Sequence, residues 1–232
     1  YDNPTGQFID LDNMARLAQL CVKHNIWLIS DEAYRELHYT NKKTSSIWGI
    51  TEKMAPGITG RRISIESTSK VWNACGLRIG AIITDSQKYH QKSVAENTAN
   101  LCSSVIGQYI FGSIAHESHQ DLQAWFSQQR KHYHNMLEKL TLDLKEKLPG
   151  IIVSSPEASI YSVVDVREIV PKDFNAASFV DYCSSKGKVK IDGDNFTLLV
   201  SPMAGFYTIE EGNSNPGKTQ MRIAYVESPE NM

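Results

Sequence analysis

A continuous apolar run, Ile26-Trp27-Leu28-Ile29, follows a stretch in which Leu11, Met14, Leu17, Ala18 and Cys21 recur at helical spacing. It stops abruptly at Ser30-Asp31-Glu32-Ala33-Tyr34. The first pattern predicts an amphipathic helix from about Asp10 to Asn25, one face packed and the other wet. The second predicts a strand covered on both faces, as in a parallel sheet, because a strand with one wet face would alternate. A helix feeding a buried strand restricts the first half of the chain to an α/β layer architecture. It also puts Asp31 just past the carboxyl end of a strand, where open α/β sheets bind their ligands.

Further strands are expected at Arg62–Glu66 and in the apolar, β-branched run from Leu77 to Thr84. The segment from Leu37 to Arg61, rich in Thr, Lys, Ser, Gly and Pro, reads as loop. Asp85-Ser86 can cap a following helix, and helical pattern continues through Ile106, Tyr109, Ile110 and Ile114. A long helix is expected from about Gln120 to Leu148, stopped by Pro149-Gly150 and serving as a domain junction. The order then changes to short strands near Ile151–Val153 and Ile160–Asp165, a helix over Ala176–Ser185, and strands near Lys188–Ile191, Thr197–Val200 and Met221–Val226. That mixture predicts a small α+β domain over residues 121–232, behind a first domain over residues 1–120.

With 41% hydrophobic and 22% charged residues, the 232-residue chain can bury a sizeable core. A net charge of -2 without a long basic block gives no ground for a nucleic-acid or anionic-membrane partner. No apolar run is long enough to span a bilayer. Cys21, Cys75, Cys102 and Cys183 are scattered without a C-x-x-C pair, which points to neither a zinc site nor a disulfide framework and suits a reducing cytoplasm. His132 and His134, two apart on the long helix, do not share a face, so no metal is expected there. The opening Tyr1-Asp2-Asn3-Pro4-Thr5-Gly6 is turn chemistry without an initiator Met, and a piece of a longer chain is expected.

The chemistry concentrates in Ser67-Thr68-Ser69-Lys70-Val71-Trp72-Asn73-Ala74-Cys75-Gly76-Leu77-Arg78. A lysine forming an imine with an aldehyde needs partial desolvation and benefits from nearby positive charge. Lys70 has Arg78 close in the chain, and Arg78 with Ser67 can hold a phosphate by charge-assisted hydrogen bonds. A lone S-x-S-K stretch is more often a solvated loop, and a lone Asp31 more often a turn residue. Together with Asn3 and Tyr34, which can donate to a phenolic oxygen, they form a rarer set; a carboxylate buried at a sheet end would suit a protonated heterocyclic nitrogen. Two rivals share the sequence. Gly212-Asn213-Ser214-Asn215-Pro216-Gly217-Lys218-Thr219 fits the P-loop pattern, though short acidic residues precede it and strand-like alternation follows, so an exposed hairpin loop is expected instead. Ser67-x-x-Lys70 fits an acyl-enzyme motif whose companion S-D-N and K-T-G motifs are missing here.

Asn3-Pro4-Thr5-Gly6, Ser30-Asp31-Glu32-Ala33-Tyr34, Ser67-x-x-Lys70 with Gly76-x-Arg78, and Met221-Arg222-Ile223-Ala224-Tyr225, in that order and spacing, resemble the class I/II aminotransferases. These are fold type I enzymes dependent on pyridoxal 5'-phosphate. The resemblance covers essentially the whole chain. It implies the C-terminal part of a large α/β cofactor domain, mostly parallel sheet with flanking helices, followed by a small α+β domain whose last helix is cut short. It implies Lys70 as the Schiff-base lysine and proton shuttle, Asp31 at the pyridinium nitrogen, and Tyr34 and Asn3 at the phenolic oxygen. Ser67 and Arg78 would hold the phosphate, and Arg222 the substrate α-carboxylate. The implied reaction moves an amino group between an L-amino acid and a 2-oxo acid, in a protein that dimerises when full length; fold type I lyases and synthases share these motifs. The resemblance also implies a cis Asn3-Pro4 bond. Ser201-Pro202-Met203-Ala204-Gly205-Phe206 resembles the turn before the carboxylate-binding strand, and residues 226–232 resemble the start of the last helix. Pro156-Glu157-Ala158-Ser159-Ile160-Tyr161 departs from the family's P-x-G-x-x-Y at Ala158. The family's upstream glycine-rich phosphate segment and ring-stacking aromatic are not in this sequence, so the chain alone is expected to bind the cofactor weakly or not at all.

Overall fold

The computed structural model describes residues 1–42 and 46–228. The chain divides into two units, Tyr1 with Phe8–Arg130, and Asp2–Gln7 with Lys131–Met232. The division falls inside the long helix, ten residues beyond the 120/121 boundary read from the sequence, and the Asn3–Gly6 turn goes with the second unit.

In the first unit, helix α1 (Leu11–Lys23) begins where the Asp10 carboxylate accepts from the Asn13 amide at 2.9 Å. Its inner face buries Met14, Ala18 and Cys21 against Leu28 of strand β1 (Leu28–Asp31). Strand β2 (Arg62–Ser67) runs parallel to β1, with Leu28 opposite Arg62 and Asp31 opposite Ile65. Strand β3 (Gly80–Thr84) runs back antiparallel, with Ser67 opposite Gly80. The sheet is therefore mixed. One expectation is corrected: β1 is not covered on both faces, since Leu28 is 5% exposed but Ile29 is 60%. Alternate side chains point to opposite faces of a sheet, and the described residues leave the second face open at Ile29 while burying Ile63 beside it.

The described residues between 37 and 61 are irregular apart from a 3-10 turn at Ile47–Gly49, yet they form no surface loop. Ile47, Ile50, Ala55 and Ile58 are all at most 1% exposed and complete the core under α1 and β1. After β3, Ser86 caps helix α2 (Gln87–Ala99) while Asp85 turns back to pair with Arg62 at 2.7 Å. Helix α3 (Val105–Gly112) follows, and α4 (His119–Lys147) leads into the second unit.

The second unit is built on strands β4 (Ile152–Val153), β5 (Tyr161–Asp165), β8 (Ser201–Pro202) and β9 (Gln220–Ala224), in the antiparallel order β4-β5-β9-β8. Helix α5 (Ala176–Ser185) is capped by the Asn175 carboxamide, and its Ala176 joins Val153, Val164 and Met221 in the core. Strands β6 (Val189–Ile191) and β7 (Asp194–Phe196) form a separate hairpin. The strand expected at Thr197–Val200 thus lies earlier, at Asp194–Phe196. Asp192-Gly193 sets it, because both residues take positive φ (51° and 99°), the geometry of a two-residue hairpin turn. Of the last-helix segment, Val226–Ser228 is not helical and residues 229–232 lie outside the described residues.

The Asn3–Gly6 turn is stitched to the Pro156–Tyr161 turn. The Gly6 carbonyl accepts from the amides of Glu157 and Ala158, both at 2.9 Å. At φ +71°, a Cβ on Gly6 would lie 2.4 Å from that of Pro156, so no other residue fits. The Asn3-Pro4 bond is trans, against the expectation. The turn closes instead through the Asp2 carboxylate, which accepts from the backbone amide and the hydroxyl of Thr5. Among the described residues, no helix is long and apolar enough to cross a membrane.

Candidate active site

Because β1 and β2 are parallel and β3 returns, the carboxyl ends of the first two and the amino end of the third share one end of the sheet. Asp31 ends β1 and Tyr34 sits in the turn after it; Ser67 ends β2, Lys70 lies just beyond, and Arg78 stands just before β3. The topology therefore places these residues of the first unit at one sheet end.

The segment carrying Lys70 is a compact turn wound around Thr68, which is 3% exposed. The Thr68 amide and hydroxyl both donate to the Ile79 carbonyl, at 3.1 and 3.0 Å, and the Ala74 amide donates to the Thr68 carbonyl at 3.1 Å. Val71 is buried, and Trp72 packs edge-on against Phe111 and Phe126. These anchors leave Lys70 partly buried between a fixed strand end and a fixed aromatic cluster. Ser67 Oγ accepts from the Ser69 amide at 3.1 Å. Arg78 is exposed, and its backbone is left-handed at φ 56°, which costs a non-glycine residue about 1 kcal/mol or more.

Asp31 requires a correction. Its side chain is exposed rather than buried, with Oδ1 accepting from the Ala33 amide at 3.1 Å. The buried carboxylate at this sheet end is Glu32, 3% exposed, to which the sequence reading gave no role. Arg35, three residues on and within ion-pair reach, was the signal that could have found it. Tyr34 is 7% exposed.

In the second unit Arg222, on β9, is held on several sides. Nη1 donates to Asn3 Oδ1 at 2.7 Å and Nη2 to Ser201 Oγ at 3.2 Å. The guanidinium lies 4.5 Å from the centre of the Tyr161 ring and 5.5 Å from that of Phe206. Its Nε is buried with no hydrogen-bond partner among the described residues, a donor that suits a carboxylate acceptor. Tyr161 and Phe206 as stacking partners were not assigned from sequence; Tyr161 comes beside Arg222 when β5 and β9 pair, and Phe206 comes from the turn after β8, which also pairs with β9.

The P-loop alternative does not survive the geometry. Pro216–Thr219 is a 3-10 turn capped by Asn215, and β9 rather than a helix follows directly. Gly217 is there for close approach, since a Cβ would fall 2.6 Å from the Ala204 backbone.

The family model for aminotransferase class I and II matches residues 1–202. The chain belongs to that family. Among curated relatives, the aspartate aminotransferase of Bacillus subtilis is 28% identical over 72% of this chain and 40% of its own length. Human kynurenine--oxoglutarate transaminase 1 is 23% identical over 90% of this chain and 48% of its own length. Among solved structures, the aromatic aminotransferase of Pyrococcus horikoshii superposes with a TM-score of 0.75 at 20% identity, covering 99% of this chain and 54% of that one. The N-succinyldiaminopimelate aminotransferase of Mycobacterium tuberculosis gives 0.74 at 20% identity, covering 97% and 52%. These superpositions show the fold, that of fold type I proteins. The chain thus spans about half the length, or less, of these relatives.

Proposed function

We propose that the chain is the cofactor-bonding and carboxylate-binding part of a pyridoxal-5'-phosphate-dependent aminotransferase moving an amino group between an L-amino acid and a 2-oxo acid. The observation that carries the reading is the convergence of Asp31, Tyr34, Ser67, Lys70 and Arg78 on one sheet end in a member of this family. The residues present fit the cofactor: an amine, a strand-end carboxylate, a phenol, and a hydroxyl with a guanidinium for phosphate. When bound, the cofactor supplies an electron sink for the carbanion left at the substrate's α-carbon.

In this reading Lys70 Nζ would hold the cofactor, and as a free amine it would carry the proton to and from the substrate α-carbon. The Asp31 carboxylate keeps the ring nitrogen protonated by charge pairing. The Tyr34 hydroxyl donates to the phenolic oxygen, and so does Asn3; its carbonyl oxygen is committed to Arg222, so its amide nitrogen is the donor. Ser67 and Arg78 hold the phosphate. Arg222 binds the α-carboxylate, for which a planar guanidinium offers paired donors. The two curated relatives described above are transaminases, which supports transamination over the lyase and synthase chemistry of other fold type I enzymes. A cytoplasmic location, supported by four unpaired cysteines, and a homodimer when full length belong to the same reading.

The test is an amino-donor screen on the full-length protein, followed at the cofactor's absorbance. Transamination predicts discharge by particular L-amino acids, recharge by a 2-oxo acid, and loss of both in Lys70→Ala. Turnover that releases a side-chain fragment without needing a 2-oxo acid would point to lyase chemistry instead.

A further inference from the structure

The buried carboxylate at the catalytic end of the sheet belongs to a network that the roles above do not use. Glu32 directly follows Asp31. Its Oε1 accepts from Ser46 Oγ and from the Ile47 amide, both at 3.0 Å, and its Oε2 accepts from Arg35 Nη1 at 3.0 Å. The same Nη1 donates to Glu66 Oε1 at 2.9 Å, and Glu66 directly precedes Ser67. Glu66 Oε1 accepts in addition from Ser64 Oγ at 3.1 Å, and Ser64 Oγ accepts from the Trp48 indole at 2.9 Å. One guanidinium nitrogen therefore ties the turn after β1 to the end of β2. Glu32, Arg35, Glu66 and Ser67 line a single cavity of about 220 Å³.

Two carboxylates gathered around one guanidinium, one of them fully desolvated, are an expensive way to gain stability, since apolar side chains of similar volume generally do as well or better. What such a bridge does supply is a fixed relation between the two strands it joins. Here the neighbours in sequence are Asp31 on one strand and Ser67 on the other, and Lys70 follows Ser67 in the same turn.

We propose that Arg35 is a positioning residue, bridging Glu32 and Glu66 so that the β1 end bearing Asp31 and Tyr34 is held in register with the β2 end bearing Ser67 and Lys70. The proposal rests on the functional reading above. Loss of the bridge lets the ring-nitrogen contact on the β1 end drift relative to Ser67 and Lys70 on the β2 end, and small misplacements at such a site have large consequences. Because one nitrogen makes both bonds, an ammonium can substitute for it in a way that an apolar side chain cannot.

The experiment uses the full-length protein and three variants, Arg35→Met, Arg35→Lys and Glu66→Ala, each reconstituted with pyridoxal phosphate. Three quantities are read: the cofactor dissociation constant, the pH midpoint of the bound cofactor's visible absorbance, and the melting temperature of the cofactor-free protein. Positioning predicts that Arg35→Met weakens cofactor binding about tenfold and displaces the absorbance midpoint, and that Arg35→Lys recovers most of both. Glu66→Ala, which leaves the Arg35–Glu32 pair in place, is expected to act in the same direction and decides the matter if Arg35→Met does not fold. Variants that melt earlier but keep the wild-type dissociation constant and midpoint would overturn the proposal, leaving the bridge a purely structural feature. Failure of the wild-type protein itself to bind pyridoxal phosphate would overturn the functional reading, and the proposal with it.

Discussion

Arg222 meets two hydrogen-bond acceptors and two aromatic rings while keeping one buried donor without a partner among the described residues. A lysine at that position lacks the planar fork and the stacking surface, so Arg222→Lys is not conservative here. The expected outcome in the full-length enzyme is a rise in KM for the amino acid of about tenfold or more, with a smaller change in kcat, read by steady-state kinetics. Asp165 is the comparable case for stability. It is 3% exposed and accepts from the Arg167 backbone amide and guanidinium, from the Thr219 hydroxyl at 2.8 Å and from the Gln220 amide at 2.9 Å. Burial pushes its carboxyl upward, but the hydrogen bonds from Arg167, Gln220 and Thr219 outweigh it and hold the group below the ordinary 3.8. A folded value below the unfolded one contributes stability that is present above the unfolded value and is lost as pH falls through the folded one. Asp165→Asn is expected to cost about 1–3 kcal/mol near neutral pH and to flatten the acid limb of a melting-temperature profile. An unchanged acid limb would contradict this.

At the scale of elements, helices were the most legible feature, because their apolar spacing and caps are local. Asp10 and Asn175 sit at the amino ends of α1 and α5, as their side chains favour. The chain from Leu37 to Arg61 misled for a physical reason: its composition is that of a loop, but single isoleucines spaced along an irregular path still reach a core that only tertiary structure defines. Ile58→Ala is therefore expected to cost about 2–5 kcal/mol, a core penalty at a position that reads as loop, measured by denaturant unfolding. A cost below about 0.5 kcal/mol would place Ile58 among ordinary surface positions instead. The displaced strand at Asp194–Phe196 has a different origin. Asp192-Gly193 is a two-residue turn signal, and it starts the second strand at Asp194, ahead of the apolar run expected to form it.

At the scale of the molecule, the ordered motifs made the family legible, whereas burial at the site did not follow from them. The carboxylate expected to be buried, Asp31, is exposed, and its neighbour Glu32 is buried instead, because a strand end places successive side chains on opposite sides. The sheet's second face shows the same gap between pattern and environment. Ile29, Ile65 and Ile82 have the composition of covered positions, yet all are exposed. The chain spans about half the length, or less, of its relatives, and Ser67 and Arg78 are the proposed phosphate contacts, so the 232-residue chain by itself is expected to bind pyridoxal phosphate weakly or not at all. A stoichiometric cofactor absorbance band from the isolated chain would contradict that. The central claim, that Lys70 bonds the cofactor, is tested most directly by borohydride reduction of the full-length protein in the presence of pyridoxal phosphate, followed by peptide mass spectrometry. A stoichiometric pyridoxyl label on Lys70, absent in Lys70→Ala, is the predicted result; a label on another lysine, or none, would contradict the account.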